Sequence, residues 1–355
     1  MSLKLIEYLS NSFGVSGFEN EVAEVACQHL NENFHIVKDK MGNLLINQPD
    51  SEHSHLHVML DAHMDEVGFI VQAIRDNGMM DFLPVGGWVT SNIPAHTFII
   101  RTEDGQKIKA ISASTPPHFM SEKERHAALA MEDIVLDVGC SSREEVEALG
   151  IKIGDPVVPD VSFESLQEDQ LLFGKAFDCR IGCACLIDTM NTYYEGQTNP
   201  DLHVSAALTT QEEVGLRGAQ LVSKQVTADL AIVFEGCPAD DSFTEDYKIQ
   251  SALHKGPMLR DFDISMITHP EFQKYALDLA AKHGIKAQRS VRKGGGTNGA
   301  AYHLSNHGIP TIVVGIPVRY AHTHYGFVAY EDYLSAKALI LEILQSLNQD
   351  VYKQL

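Results

Sequence analysis

At 355 residues and 44% apolar composition, the chain suits one large domain carrying a smaller one, with a sizeable core. Its 27 basic and 48 acidic residues leave a formal charge of −21, which argues against a nucleic-acid or anionic-membrane partner, since either needs a basic face. No apolar run reaches the roughly eighteen residues of a membrane helix and nothing near the amino terminus resembles a signal peptide, so a cytoplasmic protein is expected.

The first predicted element is helical. In SGFENEVAEVACQHL, Ser16 and Glu19 read as a capping box, and Val22, Ala26 and Leu30 recur along one face. HSHLH then spaces His53, His55 and His57 along a strand edge, read as a solvated face. HLHVMLDAHMDE switches to a strand-like apolar run ending in His63 and Asp65. Residues 67–161 read as an inserted all-β domain. There Asn77-Gly78 and Asp104-Gly105 each sit between β-rich runs, the pattern of hairpins with tight turns, and the prolines of GDPVVP suit strand edges.

Residues 1–66 and 162–355 flank that insertion and read as one discontinuous α/β domain. In AFDCRIGCACLIDTM, Asp178 stands just before a helical pattern. The apolar runs LHVSAALTT, ADLAIVFE and IPTIVVGIPV then alternate with helical GLRGAQLVSKQV and PEFQKYALDLAAKHG. The predicted fold is a mixed sheet flanked by helices, with a small β-barrel-like domain inserted. Six scattered cysteines lack the C-x₂-C pairs of structural zinc sites and read as reduced packing thiols.

LTTQEEVGLRGA crowds Glu212 and Glu213 together ahead of a helix. Alone, the pair is most simply an acidic helix N-terminus. His63 alone is a core or surface histidine, Asp178 alone an N-cap, and Glu235 alone a strand-end charge. Taken together they change meaning, because the carboxyl ends of strands in an open α/β sheet converge on one rim. His63, Asp65, Glu212, Glu213, Glu235, His322 and His324 all fall at such ends, and Asp178 joins them. Histidines and carboxylates crowded there require a cation.

Mixed imidazole and carboxylate ligands suit zinc, cobalt or manganese better than calcium. Two such ions about 3.5–4 Å apart can hold a hydroxide at neutral pH while polarising a carbonyl. Neighbours on an extended chain point to opposite sides, so one of Glu212 and Glu213 can coordinate while the other acts as base. Asp65, two residues from His63, is placed to orient that imidazole.

At these residues the chain resembles the glutamyl and deblocking aminopeptidase family, cytosolic dinuclear metallopeptidases that form tetrahedral assemblies. AHMDEVGF, TTQEEVGLRGA and RYAH carry the resemblance, with SGFE, GGGT and the inserted β-domain in the expected order. It implies His63, Asp178, Glu213, Glu235 and His322 as metal ligands. Asp178 would bridge, His63 and Glu235 would share one ion, and Glu213 and His322 the other. Glu212 would be the general base. The inserted domain would mediate dimerisation, with dimers assembling to a dodecamer that admits short peptides. The chain departs from the family pattern at Glu235, Asn298 and Cys179, and HTHYG replaces the commoner HSP, which makes His324 a substrate contact or a rival ligand, with His322 favoured by its RYAH position.

The expected function is therefore a metalloaminopeptidase acting on short peptides. A metal-dependent deacylase of small N-acyl compounds and a non-enzymatic assembly protein with a degenerate site are the alternatives. A glycosidase fits poorly, since its two carboxyls work without metals. GGGTNG lacks the G-K-[ST] of a phosphate loop and reads as a turn near the site. Arg260 and Arg292 are either substrate contacts or ordinary surface arginines.

Overall fold

The computed structural model describes residues 2–48 and 56–355, so His53 and His55 of the predicted strand edge lie outside the described residues. After two helices, Ser2–Asn11 and Asn20–His29, come three strands: β1 (His35–Lys38), β2 (Leu44–Asn47) and β3 (Leu56–His63). Six more follow: β4 (Gly68–Ile74), β5 (Met80–Val85), β6 (Thr97–Arg101), β7 (Lys107–Ser114), β8 (Ile134–Asp137) and β9 (Pro156–Pro159). The remainder supplies β10 (Glu164–Leu166), β11 (Leu171–Gly174), β12 (Leu202–Thr209), β13 (Leu230–Pro238), β14 (Met258–Phe262), β15 (Gln288–Val291), β16 (Thr311–Val318) and β17 (Gly326–Ala329).

An eight-stranded sheet runs β1-β2-β12-β3-β13-β16-β14-β15. Its centre, β12, β3, β13 and β16, is parallel. These strands are covered on both faces, which is why each reads as an unbroken apolar run. Alternation assigns the faces. Val58, Leu60, Ala62, Ile232, Phe234, Ile312 and Val314 pack with the helices Ser2–Asn11, Phe177–Glu195 and Tyr330–Ser346. Met59, Ala231, Val233 and Val313 pack on the other side with Ala219, Val222 and Tyr302. His63 and Glu235 continue that second, odd-numbered register toward the carboxyl ends of β3 and β13.

β4 to β9 form a closed barrel in the order β4-β5-β8-β7-β6-β9 around Phe69, Val71, Phe82, Phe98, Ile100, Leu136 and Val157. The predicted turns at Asn77-Gly78 and Asp104-Gly105 join β4 to β5 and β6 to β7. Two expectations need correction. β9 is not an edge: it pairs with β4 on one side and β6 on the other, with Pro156 and Pro159 confined to its two ends. Nor is the insertion purely β, since it carries the short helix Arg143–Ala148, begun by Ser142, whose side chain accepts from the Glu145 N–H. Among the described residues no helix is long and apolar enough to cross a membrane.

Candidate metal centre

The parallel strands deliver their carboxyl ends to one rim. His63 ends β3, Glu235 lies in β13, and the loop after β16 carries His322. Asp178 sits where the chain enters its long helix, with φ −84° and ψ 102°, outside helical geometry and followed by a cis peptide to Cys179. Glu212 and Glu213 occupy the turn after β12. They are not the acidic start of the helix Arg217–Gln225, whose first turn holds no acid. That ordinary reading of the pair is therefore corrected.

The distances bring the predicted residues together. His63 Nε2 lies 3.3 Å from Asp178 Oδ1, 3.6 Å from Glu235 Oε2 and 3.8 Å from Glu212 Oε2. His322 Nε2 lies 3.5 Å from Asp178 Oδ2 and 3.3 Å from Glu213 Oε2. The two oxygens of Asp178 thus face different histidines. Three groups could hold a metal ion: His63, Asp178, Cys179 and Glu235; Asp178, Glu213 and His322; and His63, Glu212 and Glu213. Glu213 Oε1 and Glu235 Oε1 are buried without hydrogen-bond partners, so donor oxygens are free for a cation.

Electrostatics point the same way. Burial, then neighbouring carboxylates, pushes Glu212 well above the usual carboxyl range, and burial, then Asp178, raises Glu213 to about 8. Burial raises Glu235 as well. Burial opposes charge on His322, yet bonding to Asp178 carries that ring up to about 9. His63 is raised well above its ordinary value against the same burial, through Cys179, Glu212, Asp178 and Asp65. Asp178 is held far below the carboxylate range despite burial, by His322 and His63. Divalent cations would compensate what protons must otherwise neutralise, so the donor set fits a metal pair.

Asp65 does more than the sequence indicated. His63 Nδ1 hydrogen-bonds the Asp65 backbone carbonyl at 3.2 Å, with the carboxylate Oδ1 beside it at 3.4 Å, so the predicted orienting residue acts through both groups. The carboxylate also accepts the backbone N–H groups of Glu212 and Glu213 at 2.9 and 3.1 Å, and the Ser16 hydroxyl at 2.6 Å. One carboxylate therefore places residues from all three candidate ligand groups. The predicted capping box is overturned here. The Glu19 side chain makes no cap bond to its helix and instead accepts from Gly17 N–H (2.8 Å) and Gln211 N–H (3.1 Å), while Ser16 serves Asp65. Asp65→Asn removes an acceptor that cannot be replaced for both amides and the imidazole together. Metal affinity is expected to fall about 10–100-fold, measured by titration of the stripped protein.

His324 is not a rival ligand. It is buried at 2% exposure, stacked on His96 with ring centroids 3.8 Å apart and flanked by Trp88 and Phe98 of the barrel. His57 is not on a solvated edge either: its Nδ1 and Nε2 lie 2.6 Å from Thr227 O and from Ser205 Oγ respectively. Asn298 stands behind the site, its amide donating to Asp61 (2.7 Å) and Thr209 (2.8 Å). Cys183 and Cys185 are buried thiols, and Cys179 donates to Phe234 O at 3.3 Å.

A cleft of about 530 Å³ opens onto the cluster, walled by Leu216, Pro238, Arg260, Arg292 and Gly294–Thr297. Arg260 is paired with Asp263 and Arg292 with Asp240, at 3.1 and 2.8 Å. Behind the site, unforeseen in the sequence reading, Lys175 Nζ bonds Glu66 Oε1 and Oε2 at 2.6 and 2.8 Å, and Arg180 reaches the same carboxylate at 3.2 Å. The signal was local: Glu66 follows Asp65, and Lys175 and Arg180 bracket Asp178.

This barrel-bearing fold with its clustered histidines and carboxylates has known counterparts. The sequence profile of the M42 glutamyl aminopeptidase family matches residues 42–339. The chain belongs to the M42 family. M42 relatives include the glutamyl aminopeptidase of Lactococcus lactis, 30% identical over 97% of this chain and 96% of that one. A TET aminopeptidase from a marine-sediment Thaumarchaeota archaeon superposes with TM-score 0.95 at 33% identity, covering 99% of both chains. The TET1 peptidase of Pyrococcus horikoshii, which can assemble into a tetrahedron or a large octahedral shell, matches with TM-score 0.86 at 26% identity, over 98% of this chain and all of that one. The M42 chain is accordingly a peptide-bond hydrolase of the aminopeptidase class.

Proposed function

We propose that the protein is a dinuclear metalloaminopeptidase that removes amino-terminal residues from short peptides. One observation carries this reading: the two oxygens of Asp178 face His63 and His322 separately, with Glu235 beside the first and Glu213 beside the second. His63, Asp178 and Glu235 would hold one divalent ion, and Asp178, Glu213 and His322 its neighbour. Zinc, cobalt or manganese bound there supplies Lewis acidity and a more acidic water.

The chain's own residues do the rest. Glu212, which lines the cleft beside His63 and is left outside the proposed ligand set, takes the proton of the attacking water and returns it to the leaving amine. Asp65 holds the His63 imidazole and the Glu212–Glu213 backbone in place. The cleft walls orient the peptide, and Arg260 and Arg292, which line it, offer guanidinium groups to an acidic or carbonyl-bearing first side chain.

The barrel within residues 67–161 would form the dimer contact, and dimers would close into a dodecamer. The shell formed by the Pyrococcus horikoshii relative supports this. Six free thiols suit a reducing, cytoplasmic setting. The decisive experiment strips the protein with chelator and reloads it separately with zinc, cobalt and manganese. Glutamyl, leucyl, lysyl and N-acyl chromogenic substrates are then compared. Activity should vanish on stripping, return with metal, and require a free amine, with the glutamyl substrate cleaved best. Turnover of N-acyl substrates alone would assign a deacylase, and turnover indifferent to chelation would end the metal reading.

A further inference from the structure

His322 stands on an irregular loop. Both Tyr320 and His322 have left-handed backbones, φ 64° and 60°, so no regular element fixes the imidazole. What it leans on comes from the barrel. Its Nδ1–H donates to the carbonyl of Gly87 at 3.1 Å. A Cβ on Gly87 would meet that nitrogen at 3.0 Å, and a Cβ on Gly86 would come within 3.3 Å of the Glu213 Cβ. Two residues further on, His324 is lodged among Trp88, His96 and Phe98, and the Tyr325 hydroxyl lies 3.1 Å from His96 Nδ1.

We infer that the inserted barrel is a positioning element of the cation position formed by Asp178, Glu213 and His322: the Gly87 carbonyl aims the His322 ring, and the cage around His324 holds that loop against the barrel. This rests on the dinuclear reading above. The physical reason is that a ligating imidazole needs its second nitrogen bonded to fix its tautomer and direction. For His63 that partner, Asp65, lies in the large domain. For His322 it lies in the barrel, so the two cation positions differ in what supports them. The consecutive glycines let the barrel backbone approach closely enough to serve. Gly87 itself does not have a left-handed φ, so alanine fits its backbone and acts only by crowding His322.

The test uses the full chain, stripped by chelation and titrated calorimetrically with zinc. Wild type should take up two ions. Gly87→Ala should weaken one of the two by about 10-fold or more and leave the other unchanged, with unaltered circular dichroism. His324→Ala, which empties the aromatic cage, should show the same one-site loss, whereas His324→Phe, which refills it, should recover two-site binding. Both variants binding two ions as wild type does, or losing both sites equally, would overturn the inference. A wild-type chain that binds fewer than two ions would instead remove the dinuclear reading itself.

Discussion

Glu212→Gln is expected to lower kcat by about 10²–10⁴-fold while two ions per chain are retained and KM changes little. The amide keeps the size and the hydrogen-bonding outline of the carboxylate but cannot accept a proton. Glu212 approaches His63 Nε2 at 3.8 Å, farther than Asp178 or Glu235, but it also groups with His63 and Glu213 closely enough to hold an ion, so the variant separates the proposed base from a ligand. Burial raises this carboxyl above its ordinary range, and in the proposed mechanism it carries the proton from the attacking water to the leaving amine. Steady-state kinetics and metal content of the same preparation decide the matter. Loss of an ion in the variant would make Glu212 a ligand, and an unchanged kcat would remove it from the mechanism.

Glu66→Gln should be the most damaging single change away from the rim, at about 3–5 kcal/mol. Glu66, Lys175 and Arg180 are 2%, 3% and 1% exposed, and one carboxylate serves both cations. The remaining Arg180 donors read the carbonyls of Met64, Leu9, Ser12 and Gly14, and Lys175 also reaches Ser12 O. The triad therefore ties the first helix and the segment after His63 to the turn that presents Asp178. Neutralising Glu66 leaves two buried charges without a counter-ion. Burial has already lowered Lys175 to about 8, so its proton is the one most easily lost once the carboxylate is gone. The urea midpoint should fall sharply, and adding Lys175→Met should recover part of the loss, since only one cation is then uncompensated. A variant as stable as wild type would show that the triad is not holding this region together.

Much of the architecture was readable along the chain, because β3, β12, β13 and β16 are buried on both faces and appear as apolar runs whose polar endings share one rim. His63, Glu235 and the Glu212–Glu213 pair announce themselves that way, and the barrel hairpins announce themselves through Asn77-Gly78 and Asp104-Gly105. Ser16 and Glu19 did not. A Ser-x-x-Glu pattern looks identical whether it caps its own helix or reaches Asp65 and the Gln211 amide, and only long-range packing chooses between them.

The last distinction belongs to the tertiary structure alone. Two histidines separated by one residue face the same way on an extended strand, so alternation alone did not separate His322 from His324, and only the resemblance at RYAH favoured His322. At φ 60° the backbone of His322 breaks that alternation, sending one ring toward Asp178 and Glu213 and the other into the barrel's aromatic cage. The strand ends and their chemistry were set by local pattern. Which ring faces the carboxylates, and what it rests against, depended on Gly87, Trp88 and His96 arriving from the barrel side of the chain.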